Sequence, residues 1–349
     1  MKTSTNPALP IPPLFEAKNA ENWGYNPSSQ KVFEEAERWR AAHTIAPVKK
    51  SRIHVLGIDL QKDFCFPEGS LYVGARSGRG AIDDNVRFAE FIYRNLGVID
   101  DITLTLDTHY PFQIFFPSFW LKEDGSHPSP HTMITVQEIR QGIYRPNPAV
   151  ANWIAGDANP SAVMAFLNHQ VEHYCAELEK SGKYTLYLWP YHCLLGTEGH
   201  ALTGVINEAR LFHAFARGRQ SLLEIKGGHP LTENYSVFKP EVTTRYDGAP
   251  LTEGLNTKLL LKLTNADMLI IAGQAASHCV KSSIDDLLDD IMARDRSLAE
   301  KVYILRDCTS AVVVPGVVDY TVQAESSLDR YAKAGMHVVL STDPMDTWK

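Results

Sequence analysis

Cys279 stands where an apolar run, Met268–Gly273, passes through a turn of small residues, QAASH, into an amphipathic stretch that begins at the cysteine itself. The first free N–H groups of a helix carry partial positive charge, which lowers a thiol's pKa from about 8.5 and aims donors at an oxyanion formed beside it. Taken alone, a free cysteine is more often a small buried hydrophobe. Two further residues shift that balance: Asp59 closes the run IHVLGID and Lys226 closes SLLEIK. Three ionisable side chains at the C-terminal ends of three apolar runs share the edge where open α/β sheets gather their ligands.

A second group offers metal donors. Asp107 and His109 lie in TLTLDTHYP, and residues two apart in an extended segment point the same way, so a carboxylate and an imidazole can converge on one cation. His192 follows another apolar run in LYLWPYHCLLGTEG. One Asp and two His suit Zn²⁺, with Fe²⁺ or Mn²⁺ as alternatives, and leave positions for water or substrate. Each piece also has a plainer reading. D-x-H at a strand end is commonly a hydrogen-bonded turn, His192 could cap a helix, and neighbouring Cys193 leaves a Cys/His zinc site open, although no other cysteine has suitable spacing. His127, His131, His169, His173 and His200 read as structural or surface residues, and Cys65, Cys175 and Cys308 as spectators.

The elements that must position these groups alternate regularly. Apolar runs at Ile53–Asp59, Ile102–Asp107, Thr185–Trp189, Ser221–Lys226, Met268–Gly273, Val302–Asp307 and His337–Ser341 are strand candidates. The amphipathic stretches Asp83–Leu96, Ala201–Arg217, Leu255–Thr264, Cys279–Arg294 and Asp319–Ala334 are helix candidates. This pattern predicts a three-layer α/β/α, Rossmann-like fold on a mostly parallel sheet, with strands apolar at nearly every position because both faces are covered. Residues 1–50 are polar and proline-punctuated, with one helical patch at Ser29–His43, and read as an arm lying on the body or on a neighbouring subunit; residues 51–349 read as one sizeable domain with an insertion.

The alternation breaks between about 111 and 183, a segment rich in Pro, His and aromatics. Inside it Val163, Phe166, Leu167, Gln170, Val171, Tyr174 and Leu178 recur at spacings of three and four, which predicts an amphipathic helix. The segment reads as a cap whose Phe115, Phe116, Phe119, Trp120 and Trp153 close a pocket or form an interface.

With 349 residues, 44% hydrophobic and 21% charged, the chain has the balance of a globular protein with a large core. A net charge of −7 with no basic stripe argues against a nucleic-acid partner. No apolar stretch approaches the ~20 residues of a membrane span, and MKTSTNPALPIPPLF lacks the pattern of a secretory signal, so a cytoplasmic protein without a membrane partner is expected. Five cysteines, odd in number and widely spaced, fit reduced thiols.

In order along the chain, DLQKDF, DTH, WPYHC, the segment from Lys226 to YSVF at Phe238, and AGQAASHCV resemble the signature of the isochorismatase-like cysteine hydrolases, and within them the nicotinamidases. The resemblance runs from about Ile53 to Ser341 apart from the insertion. It implies a catalytic triad at Asp59, Lys226 and Cys279 and metal ligands at Asp107, His109 and His192. It also implies a non-proline cis peptide at Gln274–Ala275 and an oxyanion hole from the backbone N–H groups of Ala275 and Cys279. Gln61, Phe64 and Tyr191 would line the substrate pocket, and the cation would bind and orient the substrate's ring nitrogen. The implied activity is hydrolysis of a small aromatic amide such as nicotinamide through a thioester, by a homo-oligomer. A carbamoyl, ureido or maleamate-type amide is the alternative substrate, and a non-catalytic binding protein the reading from another class. Lys239 competes with Lys226 for the catalytic role, and His278 stands where it could tune Cys279 or face solvent.

Overall fold

The computed structural model describes residues 8–50, 52–180, 182 and 184–348. Six strands form one sheet: β1 (Ile53–Ile58), β2 (Asp101–Asp107), β3 (Leu222–Lys226), β4 (Met268–Gly273), β5 (Val302–Leu305) and β6 (His337–Val339). Their spatial order is β6-β5-β4-β1-β2-β3, and every neighbouring pair is parallel. The chain builds outward from β1 through β2 to β3, then returns to build from β4 on the other flank. The order therefore reverses between β1 and β4, where parallel sheets open a crevice at their carboxyl ends.

Helices that cover this sheet and the insertion include α1 (Ser29–Ala42), α2 (Gly80–Arg94), α3 (Pro160–Lys180), α4 (Gly204–Arg217), α5 (Thr257–Thr264), α6 (Cys279–Arg294) and α7 (Thr321–Lys333). Alternation along β4 shows why both sheet faces are apolar. Ile270 and Ala272 join Val55, Leu104, Phe88 and Phe212 in the core beneath α1, α2 and α4, while Leu269 and Ile271 join Leu56, Leu260, Ile284 and Leu328 in the core beneath α5, α6 and α7. That is the period of two expected of a strand covered on both sides. The edge strand β3 departs from it, since Leu223 and Ile225 are exposed.

The segment before β1 packs on the body: Phe15, Ala20, Val32, Ala36 and Ile45 enter the α1/α2/α4 core. Residues 1–7, the start of the sequence read for a signal, lie outside the described residues. Among the described residues no helix is long and apolar enough to cross a membrane. All five cysteines are buried and free.

The insertion builds a core of its own. Phe115, Phe116, Phe119 and Trp120 pack there with Leu167, Val171 and Tyr174 of α3, whereas Trp153 is exposed. Its short elements are set by local signals: a Thr135/Glu138 capping box starts the helix Val136–Arg140, and Asn147 caps Pro148–Ala155 with proline in its first turn. The run Thr185–Trp189, expected as a strand of the main sheet, yields only Leu186–Tyr187, paired antiparallel with Met133–Ile134 inside the insertion. Its apolar side chains complete the insertion's core, and that tertiary demand overrides the strand pattern.

Candidate active site

The reversal between β1 and β4 brings the chemistry together. Ile58 and Gly273 pair in register, and a Cβ on Gly273 would stand 2.1 Å from the Ile58 carbonyl oxygen, so only glycine lets the two strand ends approach. Its φ of +124° has the same requirement. Beyond Ile58 the backbone turns through a left-handed conformation at Asp59 (φ +49°), and beyond Gly273 it enters a cis peptide at Gln274–Ala275. The turn is fastened from outside: Ala276 donates to the Ser310 carbonyl at 2.8 Å, Val312 N–H donates to Ser277 Oγ at 3.1 Å, and Gln274 Nε2 donates to Asp84 at 2.8 Å. Cys279 then opens α6 as its first residue, after an N-cap, His278, whose side chain makes no cap bond. Among the described residues the N–H groups of Ala275 and Cys279 have no acceptor, so two donors in this turn stand free.

Asp59, Lys226 and Cys279 meet at this point. The Lys226 ammonium is 3.0 Å from Asp59 Oδ2 and 3.6 Å from Cys279 Sγ, and it donates to Asp107 Oδ1 at 2.9 Å and to the Asn234 carbonyl at 3.0 Å. Asp59 Oδ1 is held by the Thr105 hydroxyl at 2.5 Å. Oδ2 faces the lysine charge without hydrogen-bond geometry and keeps a lone pair for another donor. Lys239, the competing lysine, is half-exposed and paired with Asp286 at 3.0 Å, away from the thiol.

Burial governs the ionisation of this cluster, and neighbouring charge then sorts the groups. Burial raises Asp59 above the usual carboxylate value of 3.8 even against the pull of Lys226. Burial would lower Lys226, but Asp107 and Asp59 outweigh it and hold the ammonium charged well above its ordinary 10.5. Burial likewise raises the Cys279 thiol well above 9.0 despite Lys226, with Asp59 and Asp107 adding to the rise. At neutral pH the resting cysteine is therefore a thiol beside a carboxyl with a free lone pair and a fixed cation.

Asp107, His109 and His192 form one buried group whose donor atoms all lie within 4.8 Å of one another. His109 Nε2 is 2.9 Å from Asp107 Oδ2 and His192 Nε2 is 3.7 Å from the same oxygen. Their other ring nitrogens face carbonyls, Nδ1 of His109 that of Gly227 at 3.2 Å and Nδ1 of His192 that of Pro190 at 2.8 Å. With Nδ1 donating to these carbonyls, both Nε2 atoms would be left as lone pairs for a cation, the arrangement typical of metal-binding histidines. The imidazole of His109 packs on Phe115 and Phe116 at centroid distances of 4.8 and 5.6 Å, so the insertion's core steadies this ring. Gly227, at φ +87°, passes so close that a Cβ would lie 2.7 Å from Asp107 Oδ1. Donor set and cradle fit a divalent cation with open positions. Cys193 is not part of the group; it is buried beside Phe64, Cys65 and Phe66.

One cavity touches both clusters. Asp107, His192 and Cys279 line it together with Phe64, Leu71, Val73, Trp189, Glu233, Tyr235, Gln274, Ala275, His278 and Val312. Two residues expected in the pocket are elsewhere. Gln61 is fully buried and pins the end of β2, accepting from the Asp107 N–H and donating to the Asp107 and His200 carbonyls. Tyr191 is exposed, its hydroxyl accepting from the Ser118 N–H. Trp189 and Tyr235, joined by an indole-to-hydroxyl bond of 2.8 Å, form an aromatic wall; both stand in the motifs WPYHC and YSVF, which gave neither a pocket role. His278 stands between them and Tyr320, and burial lowers its pKa to about 4, so it is neutral at physiological pH.

The fold and site together define a parallel α/β protein with a buried Cys–Lys–Asp cluster beside an Asp–His–His metal-type group. No protein-family model matches the chain, and no curated protein does. Solved structures to which it is similar include an Acinetobacter baumanii nicotinamidase/pyrazinamidase, at 18% identity and TM-score 0.48 over 84% of this chain and 99% of that one. Another is the yeast nicotinamidase Pnc1p bound to the inhibitor nicotinaldehyde, at 18% identity and TM-score 0.49 over 82% and 99%. A third is a Pyrococcus horikoshii pyrazinamidase in complex with zinc, at 16% identity and TM-score 0.43 over 83% and 99%.

Proposed function

We propose that the chain is a metal-dependent cysteine amidohydrolase of nicotinamidase type, converting a small aromatic amide to its acid and ammonia. The observation that carries the proposal is Cys279 Sγ at 3.6 Å from the Lys226 ammonium, at the first position of α6, in a cavity shared with Asp107 and His192. A planar apolar substrate suits walls made by Phe64, Trp189, Tyr235, Leu71, Val73 and Val312.

In this mechanism Asp59 takes the thiol proton as Sγ bonds to the amide carbon. The carbonyl oxygen, now an oxyanion, meets the N–H groups of Ala275 and Cys279; one such donor is typically worth about 10²–10³ in rate. Collapse breaks the C–N bond while Asp59 returns its proton to nitrogen, and ammonia departs. Asp59 next takes a proton from water as the oxygen attacks the thioester, and the C–S bond breaks as Asp59 passes that proton to sulfur, giving the acid, the thiol and an ionised Asp59. Lys226 keeps its proton throughout and balances whichever partner is anionic. A cation held by Asp107, His109 and His192 would supply a positive template for a substrate lone pair and for water.

Ammonia release from nicotinamide tests the proposal. The expected result is turnover that disappears on chelation and returns with added Zn²⁺; a protein loaded with metal that releases no ammonia from nicotinamide, pyrazinamide or benzamide would refute it. The pH profile carries a second expectation. Only ionised Asp59 can take the thiol proton, so kcat/KM falls as pH drops through its pKa. Because burial raises that pKa, the acid limb lies above the ordinary carboxylate value of 3.8, and a limb at or below it would count against Asp59 as the base.

A further inference from the structure

Glu233 is the cavity-lining carboxyl that this mechanism leaves without a task. Its backbone is fixed, the N–H donating to the Tyr174 hydroxyl at 3.2 Å and the carbonyl accepting from Glu241 at 2.9 Å. Its Oε1 accepts from the Asn234 N–H at 2.7 Å. Its Oε2 has no partner among the described residues, although the residue is only 3% exposed. A buried polar atom is seldom left unpaired in a folded protein, and such an atom points to a partner that the chain itself does not supply.

The surroundings indicate which partner. Glu233 lines the same cavity as Asp107 and His192. Burial is the main reason that its pKa rises to about 8, and the negative charge of Asp107 is the next, so the two carboxyls feel each other's field. Glu233 is nevertheless outside the group whose donors lie within 4.8 Å of one another. Three protein ligands leave a divalent cation open positions that water occupies.

We infer that Glu233 is an outer-shell residue of the metal centre, whose free oxygen binds a water ligand of the cation and thereby raises the cation's affinity. The inference rests on the metal reading proposed above. Glu233 acts through water, so it is a positioning residue and takes no part in bond making.

The test is competition for Zn²⁺ between the full-length protein and a chromophoric chelator, for wild type, E233Q and E233L, with the melting temperature of each measured in excess chelator. Outer-shell changes typically weaken metal binding 10–100-fold. The expected result is a Kd about 10-fold weaker for E233Q and up to 100-fold weaker for E233L, with the metal-free E233Q protein melting no lower than wild type. The near-isosteric E233Q keeps the test informative should E233L fold poorly. Kd values within twofold of wild type for both variants would overturn the inference alone, and a fall in kcat/KM at unchanged Kd would do so in favour of a direct substrate contact. A wild-type protein that binds no Zn²⁺ would remove the metal reading and this inference with it.

Discussion

On the proposed mechanism, Cys279→Ala should lower amide hydrolysis by at least about 10⁴-fold while the protein stays folded, because residues that act as one catalytic unit fail together when the nucleophile is removed. The thiol is 7% exposed at the first position of α6, and its loss leaves the free N–H groups, Lys226 and the metal-type group in place. Removing one sulfur from the edge of a cavity costs little packing, so the melting temperature should move by only a few degrees. Ammonia release and a thermal melt on the same preparation check both halves. Residual activity within about 10-fold of wild type would mean that another group attacks the amide.

Lys226→Met has the largest expected effect on stability. Among the described residues its ammonium is the one cation within 3.0 Å of both Asp59 and Asp107, each nearly inaccessible to water. Breaking a buried pair by removing one partner costs about 3–5 kcal/mol, because the remaining charge is left uncompensated. Here two carboxylates lose their counter-charge together. Urea unfolding of the metal-free protein should show a loss of that size, and activity should fall by orders of magnitude. The loss should shrink at acid pH, where the raised pKa of Asp59 lets it protonate early. A variant as stable as wild type at neutral pH would mean that the lysine charge does not hold this cluster together.

The parts of the molecule legible in the sequence were those governed by local periodicity and by strand ends. Short apolar-rich runs marked the doubly covered strands β1, β2 and β4, and residues closing β1, β3 and β4 converge at the sheet edge because parallel strands share one polarity. The spacing of Leu167, Val171, Tyr174 and Leu178 gave α3 within the insertion. Leu186–Tyr187 was misread because a short apolar run looks the same in a sheet as in the insertion's core. The aromatics at 115, 116, 119 and 120 turned to that core rather than toward a ligand, and one face of it steadies His109.

The positions of Gln61 and Glu233 were illegible for a different reason. A glutamine beside a catalytic carboxylate reads as a pocket residue, and only the folded chain shows that its amide is consumed by the backbone of Asp107. A glutamate in the loop TENYSVF reads as solvated, since carboxylates in loops usually are. Its burial depends on Tyr174 in the insertion and on the segment around Glu241, contacts that no local pattern encodes.

The central claim is a covalent acyl intermediate on Cys279, and acid-quenched mass spectrometry during turnover tests it most directly. With nicotinamide in excess, the peptide spanning Met268–Arg294 should carry the added mass of a nicotinoyl group on Cys279. Hydroxylamine should remove that mass, and Cys279→Ala protein should never acquire it. Turnover with no adduct at any quench time, together with activity surviving in Cys279→Ala, would contradict the thioester route and place the attack on a water activated elsewhere in the cavity.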